Sequence, residues 1–235
     1  MKETIDKSVP QAPGKLPVEY QSTQILETLQ NRLQQRYDVY VPYNVNQFVC
    51  HSATHLQAVS NNNSLAPEML FYRQDGDNLD ISLYIDSKLL EKIEARHLQT
   101  DWSGERFNDC CMLLEGVSHF LYLTWNAHYD RQVSLLDLEL QAEVDKFVFA
   151  VLDTQADDTG RLLERLYQQI SYRDELTPVL KKRYEIANEF AHVYCTWLAE
   201  NFALYPTDRK LAAELARFYR LNGVAKQQHI KKLMH

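Results

Sequence analysis

One stretch constrains the fold of this chain more than any other. Residues 110–123 read Cys110-Cys111-Met112-Leu113-Leu114-Glu115-Gly116-Val117-Ser118-His119-Phe120-Leu121-Tyr122-Leu123. As a helix this run is apolar almost all round, and such a helix belongs in the middle of its domain. Glu115 and His119 interrupt it at helical spacing, so their side chains stack on one face. Desolvating a lone carboxylate costs several kcal/mol. Glu115 therefore needs a partner, whether His119, a residue of another helix or a metal ion. Gly116 is the second anomaly. Glycine in mid-helix costs about 1 kcal/mol relative to alanine, and it is tolerated where another backbone or a ligand comes close.

The next helical pattern spans residues 135–154, with Ser134 as its expected cap. Glu139 and Glu143 share a face of it, and Lys146 follows one turn later. A short link over residues 129–133 makes the two helices antiparallel neighbours, so the acidic pair can face Glu115 and His119. Three carboxylates and an imidazole suit zinc, manganese or iron. Two other readings fit the same residues. Glu139, Glu143 and Lys146 form a solvated face with an ion pair, or all of these groups form a buried polar network that sets helix register.

The rest of the chain reads as architecture. With only 6 Gly and 7 Pro in 235 residues, a turn-rich all-β fold is disfavoured and long helices are expected. Residues 1–20, with Pro10, Pro13 and Pro17, read as a flexible arm. A helix is expected over 23–37. Val39-Tyr40-Val41 is a short β-prone run, and residues 69–72 and 79–85 read as two strands joined by a hairpin turn at 74–78. Helices are expected over 87–95, 104–128, 135–154, 159–172, 178–204 and 208–220, with caps at Ser87, Ser103, Ser134, Asp157 or Asp158, Thr177 and Thr207. Asn222-Gly223 ends the last of them, leaving a basic tail. The expected fold is α+β and predominantly helical, a small antiparallel sheet followed by a multi-helix body. One globular domain covers 21–235, with the sheet region at 39–85, the helical body at 86–222 and the tail at 223–235.

A net charge of −7 with dispersed basic residues argues against nucleic acid as a partner. No apolar run approaches the ~20 residues that span a bilayer, and the start lacks the apolar segment of a signal peptide. Cys50, Cys110, Cys111 and Cys195 form no CxxC pair and read as reduced thiols, which points to a cytoplasmic protein. Glu189 and His192 carry the Glu-x-x-His spacing used in di-iron bundles, but in one copy. They are secondary metal candidates. Cys50, His51 and His55 lack the second ligand pair of a structural zinc site.

The central helix pair resembles the core of zincin-like metallopeptidases, in particular the gluzincin branch. There a small sheet precedes a buried helix bearing His-Glu-x-x-His, and a later glutamate completes the zinc site. Here the aligned pentapeptide is Glu115-Gly116-Val117-Ser118-His119. His119 matches a ligand, Glu115 stands in place of the first histidine, and Gly116 stands in place of the general base. The resemblance implies a degenerate zincin-like fold without ordinary peptidase activity. The expected function is a non-catalytic interaction or regulatory protein with a protein partner, binding neither nucleic acid nor membrane. The alternative is a metal-dependent hydrolase with Glu115, His119, Glu139 and Glu143 as metal ligands. The cofactor expectation is either none or a single divalent metal such as zinc. No catalytic residue, partner identity or oligomeric state follows from the sequence.

Overall fold

The computed structural model describes residues 18–51, 66–93, 106–154, 158–169 and 176–234, with side chains described from Gln24 onward except at 154. The first helix, α1 (Val18–Tyr37), starts five residues before its expected beginning at 23 and takes in residues 18–20 of the expected arm. It buries Ile25, Leu26, Leu29, Leu33 and Tyr37 along one stripe, as the periodicity predicts. It ends at Asp38, whose φ of 50° is left-handed. The β-prone run that follows forms no strand. The Val41 N–H donates to Gln34 Oε1 at 3.0 Å and the Val45 N–H to Gln30 Oε1 at 2.8 Å, so side chains of α1 take the bonds a sheet neighbour would supply. A 3-10 turn, Val45–Gln47, capped by Asn44, leads into β1 (Val49–Cys50).

The hairpin is present and longer than its apolar runs. β2 (Glu68–Asp75) and β3 (Asn78–Ile85) pair antiparallel from Glu68↔Ile85 to Asp75↔Asn78. Gly76 at φ 58° supplies the left-handed turn residue. β1 joins the other edge of β3 in parallel, so the sheet has the order β1-β3-β2 and is mixed rather than wholly antiparallel. The long connection from β1 to β2 is what permits a parallel pair.

The helical body follows. α2 (Ser87–Glu91) is capped by Asp86, not Ser87, and ends earlier than its pattern. α3 (Phe107–His128) begins without a side-chain cap, and the expected cap Ser103 lies outside the described residues. α4 (Leu135–Thr154) starts in a reciprocal cap: Ser134 Oγ accepts from the Asp137 N–H, and Asp137 Oδ2 accepts from the Ser134 N–H. α5 (Thr159–Tyr167) is capped by Asp158, α6 (Pro178–Asn201) by Thr177 with Pro178 in its first turn, and α7 (Arg209–Arg220) by Asp208 rather than Thr207. Residues 223–233 are not a loose tail. They form α8 (Gly223–Leu233), for which Asn222 is a start signal, its side chain accepting from the Ala225 N–H.

The fold is thus α+β and mostly helical, with eight helices and one three-stranded sheet among the described residues. α3 lies at its centre, touching α1, α4 and both strands of the hairpin. Phe107, Leu113, Leu114, Val117, Phe120 and Leu121 are all buried, so this helix has no solvent face along most of its length. α4 returns antiparallel beside it and also lies against α6. Among the described residues, no helix is long and apolar enough to cross a membrane.

Candidate metal centre

The antiparallel return of α4 brings Glu115 and His119 against Glu139, Glu143 and Lys146. Lys146 Nζ lies 2.7 Å from Glu115 Oε2 and 2.8 Å from Glu143 Oε1. The ammonium therefore ties the two helices together and occupies the place where Glu143 would otherwise share an ion with Glu115. Two further groups complete the cluster. Glu68, the first residue of β2, approaches His119 Nδ1 at 3.9 Å, and Arg183 of α6 approaches Glu139 Oε1 at 3.6 Å. His119 Nε2 is 3.5 Å from Glu139 Oε2.

Gly116 now has a physical reason. A Cβ at this position would stand 2.7 Å from Glu68 Cγ. The missing side chain on α3 is what lets a carboxylate from the sheet reach the helix pair. Glycine's cost in helix propensity is set against this close approach.

The distances separate two kinds of contact. The Lys146 pairs have the length of charge-assisted hydrogen bonds. The two His119 contacts do not: 3.5 and 3.9 Å are too long for such bonds. The Nδ1–Glu68 separation matches two donors sharing one ion, since ligands at about 2.1 Å from a metal lie between about 3 and 4.2 Å apart, whereas Nε2 points away from Glu68 toward Glu139. His119 Nε2 and Glu68 Oε1 are both buried without a hydrogen-bond partner, as is Arg183 Nε. The His119 and Glu68 side chains are only 10% and 8% exposed. One donor atom each from Glu68, Glu115 and His119 lies within 4.8 Å of the others, so a shared tetrahedral ion, whose ligands stand about 3.4 Å apart, requires closure by up to about 1.4 Å.

The electrostatics follow from burial working against neighbouring charge. Burial pushes the Glu68 carboxyl up, and His119 only partly offsets it. Burial also opposes the charged forms of Glu115, His119 and Lys146, but their partners win. Lys146 and His119 hold Glu115 below the usual carboxylate range. Glu139 and Glu68 lift the His119 imidazole well above its ordinary value, and Glu115 with Glu143 lifts the Lys146 ammonium. Glu143 shares Lys146 but lacks the help of His119, and its carboxyl is pushed up by burial. Four carboxylates here face three basic groups. Exchange of the His119 proton for a divalent ion brings that sum to zero when all four carboxylates are ionised.

Of the residues the sequence singles out, Glu115, His119, Glu139 and Glu143 are therefore neighbours, with Glu143 engaged by Lys146 rather than by the imidazole. Glu189 and His192 lie elsewhere: Glu189 is exposed, and His192 stacks on Tyr167 with ring centroids 5.3 Å apart. His51 Nδ1 is 2.9 Å from the Ile85 carbonyl at the sheet edge, and His55 lies outside the described residues. Sequence reasoning missed Glu68 and Arg183. The one available signal for Glu68 was Gly116, which announced a close approach without naming what approached.

Comparison with protein-family models, characterised proteins and solved structures finds no match.

Proposed function

We propose that this protein is a non-catalytic regulatory or interaction factor that takes up one divalent cation between its sheet and its central helix pair. Glu68, Glu115 and His119 are the ligands, and Glu139 is the adjacent carboxylate. The observation that carries this reading is the convergence of one donor atom each from Glu68, Glu115 and His119 within 4.8 Å, with Glu68 Oε1 buried, unpartnered and 3.9 Å from His119 Nδ1. An oxygen-rich set with one imidazole suits zinc or manganese. Binding without peptidase chemistry accords with Gly116, since the position beside Glu115 carries no side chain to activate water. The zincin-like comparison bears on this reading only through that position and through His119.

The test is a titration of Zn²⁺ and of Mn²⁺ into chelator-treated protein by calorimetry. One ion per chain is expected for the wild type, with affinity falling at least tenfold in Glu68→Gln and in His119→Ala and unchanged in Glu189→Gln. A wild-type chain that takes up neither ion at millimolar concentration would sink the proposal and leave the cluster as a structural ion network.

A metal-dependent hydrolase is the second reading, and Glu143 is the observation that favours it. Its carboxyl is pushed up by burial and its side chain is 21% exposed, a combination suited to proton transfer. Turnover of simple ester or peptide substrates by the metal-loaded chain, lost in Glu143→Gln with metal stoichiometry intact, distinguishes this reading from the first.

A further inference from the structure

The opposite side of the α3–α4 pair holds a second buried polar cluster, separate from the metal centre. Lys226 of α8 is 0% exposed. Its ammonium donates to Gln141 Oε1 and sits over three aromatic rings, 4.2 Å from the centroid of Tyr122, 5.0 Å from Phe218 and 5.6 Å from Tyr219. Gln141 Nε2 in turn donates to Asp145 Oδ1 at 2.7 Å. Asp145 also accepts from the Tyr37 hydroxyl and, at 2.5 Å, from Ser118. The carboxylate is thus satisfied by neutral donors and the amine by a neutral acceptor. Asp145 and Asp137 act on Lys226 only through space. Ring faces attract a cation, but less than full burial penalises one.

The start of the same helix is equally specific. A Cβ at Gly223 would overlap Asp137 Oδ1, which is buried without a partner. The Asp137 carboxylate therefore lies directly against the first turn of α8, where the helix dipole favours it. Only glycine leaves it room.

We infer that α8 is a proton-gated latch: its docking on α3, α4, α6 and α7 depends on burial of the Lys226 amine in this aromatic box, and protonation of that amine loosens the helix. Burial lowers Lys226 from its ordinary value to about 7, with Asp145 and Asp137 only partly restoring it. Because the exposed amine holds its proton up to a much higher pH, the open form binds more protons above pH ~7, and docking strengthens as pH rises. The other ionisable contacts of α8 include His229 with Glu214 at 3.3 Å, with Arg217 at 3.1 Å and with the ring of Tyr194 on α6, whose phenol burial pushes well up. Burial and Arg217 lower the His229 imidazole, so it is already neutral in that window. The phenols of Tyr37, Tyr122 and Tyr219 are all pushed up by burial and stay protonated there. Release uncovers the rings of Tyr122 and Tyr219 and the seat of Ile230, all buried in the docked form.

Hydrogen exchange of the full chain, corrected for the intrinsic pH dependence of amide exchange, reads the latch directly. Protection of the α8 amides is expected to rise tenfold or more between pH 7 and pH 9, and to be flat over that range in Lys226→Met. A flat wild-type profile overturns the inference, as does an unchanged rise in the variant. If Lys226→Met does not fold, the wild-type profile together with Lys226→Gln decides by the same criteria. Neither arm involves added metal, so failure of the latch and failure of the metal site are independent results.

Discussion

Gly116 and Gly223 show how much a missing side chain can organise. Each leaves space that a carboxylate from another element fills, Glu68 in one case and Asp137 in the other. Gly116→Ala improves helix propensity by about 1 kcal/mol, yet its methyl meets Glu68 Cγ. We expect net destabilisation of about 1–3 kcal/mol from overpacking, measured by urea unfolding. Metal affinity should fall along with it as Glu68 is displaced, and a Gly116→Ala variant as stable as the wild type would show that the contact is soft. Asp145 offers a second prediction. Burial lifts its carboxyl to about 6 against the hydrogen bonds of Ser118, Tyr37 and Gln141. Tyr37→Phe removes a donor inside the core, and a cost of about 1–3 kcal/mol is expected. Because the lost donor favours the ionised carboxylate, the penalty should grow as pH rises through 6. Unfolding of wild type and variant at pH 5 and pH 7 measures it.

At the scale of elements, α3 and α4 act as a two-sided partition. Glu115 and His119 face Glu139, Glu143 and Lys146, while Ser118 and Tyr122 face Gln141, Asp145 and Lys226. Both faces carry buried charge, so the register of the pair is set by polar partners as well as by packing. Shifting either helix by one residue would break both clusters at once. The same logic makes α8 a docked element rather than a tail. In Gly223→Ala the added methyl and Asp137 cannot both keep their places, so α8 should lose protection in hydrogen exchange at every pH, while α1 and the hairpin keep theirs. Equal loss across all elements would instead mean that α8 unfolds only with the whole molecule.

For the molecule as a whole, the two clusters predict separable responses. An ion that binds the folded form alone stabilises it by about 2.7 kcal/mol at a hundredfold excess over its dissociation constant. Thermal unfolding should therefore move upward with added Zn²⁺ or Mn²⁺ in the wild type and stay put in His119→Ala. Lys226 acts through pH instead. Its depressed value means that stability rises between pH 7 and the range of an exposed lysine, since the unfolded chain there binds the extra proton. Subtracting the Lys226→Met profile from the wild-type profile isolates that contribution. A difference that does not change with pH would place the charge of Lys226 outside the energetics of folding.

Periodicity and local chemistry were enough to read the helical class, the central place of α3, the hairpin and most helix starts, because those depend on residues close together in the chain. The anomaly at Glu115 and His119 was legible for the same reason: polar groups in an otherwise apolar helix need partners wherever the helix goes. Which partners they find was not legible. Glu68 lies on a strand whose alternation says nothing about a carboxylate aimed at a helix. Arg183 and Lys226 belong to basic runs that look solvated in sequence, and Val39-Tyr40-Val41 was drawn away from a sheet by Gln34 of α1, whose carbonyl and side chain take the Val39 and Val41 N–H groups. Burial of charge is decided by what other elements bring to the same place. Local sequence determines that a group needs compensation, and only the tertiary packing of α3, α4, the hairpin and α8 decides what supplies it.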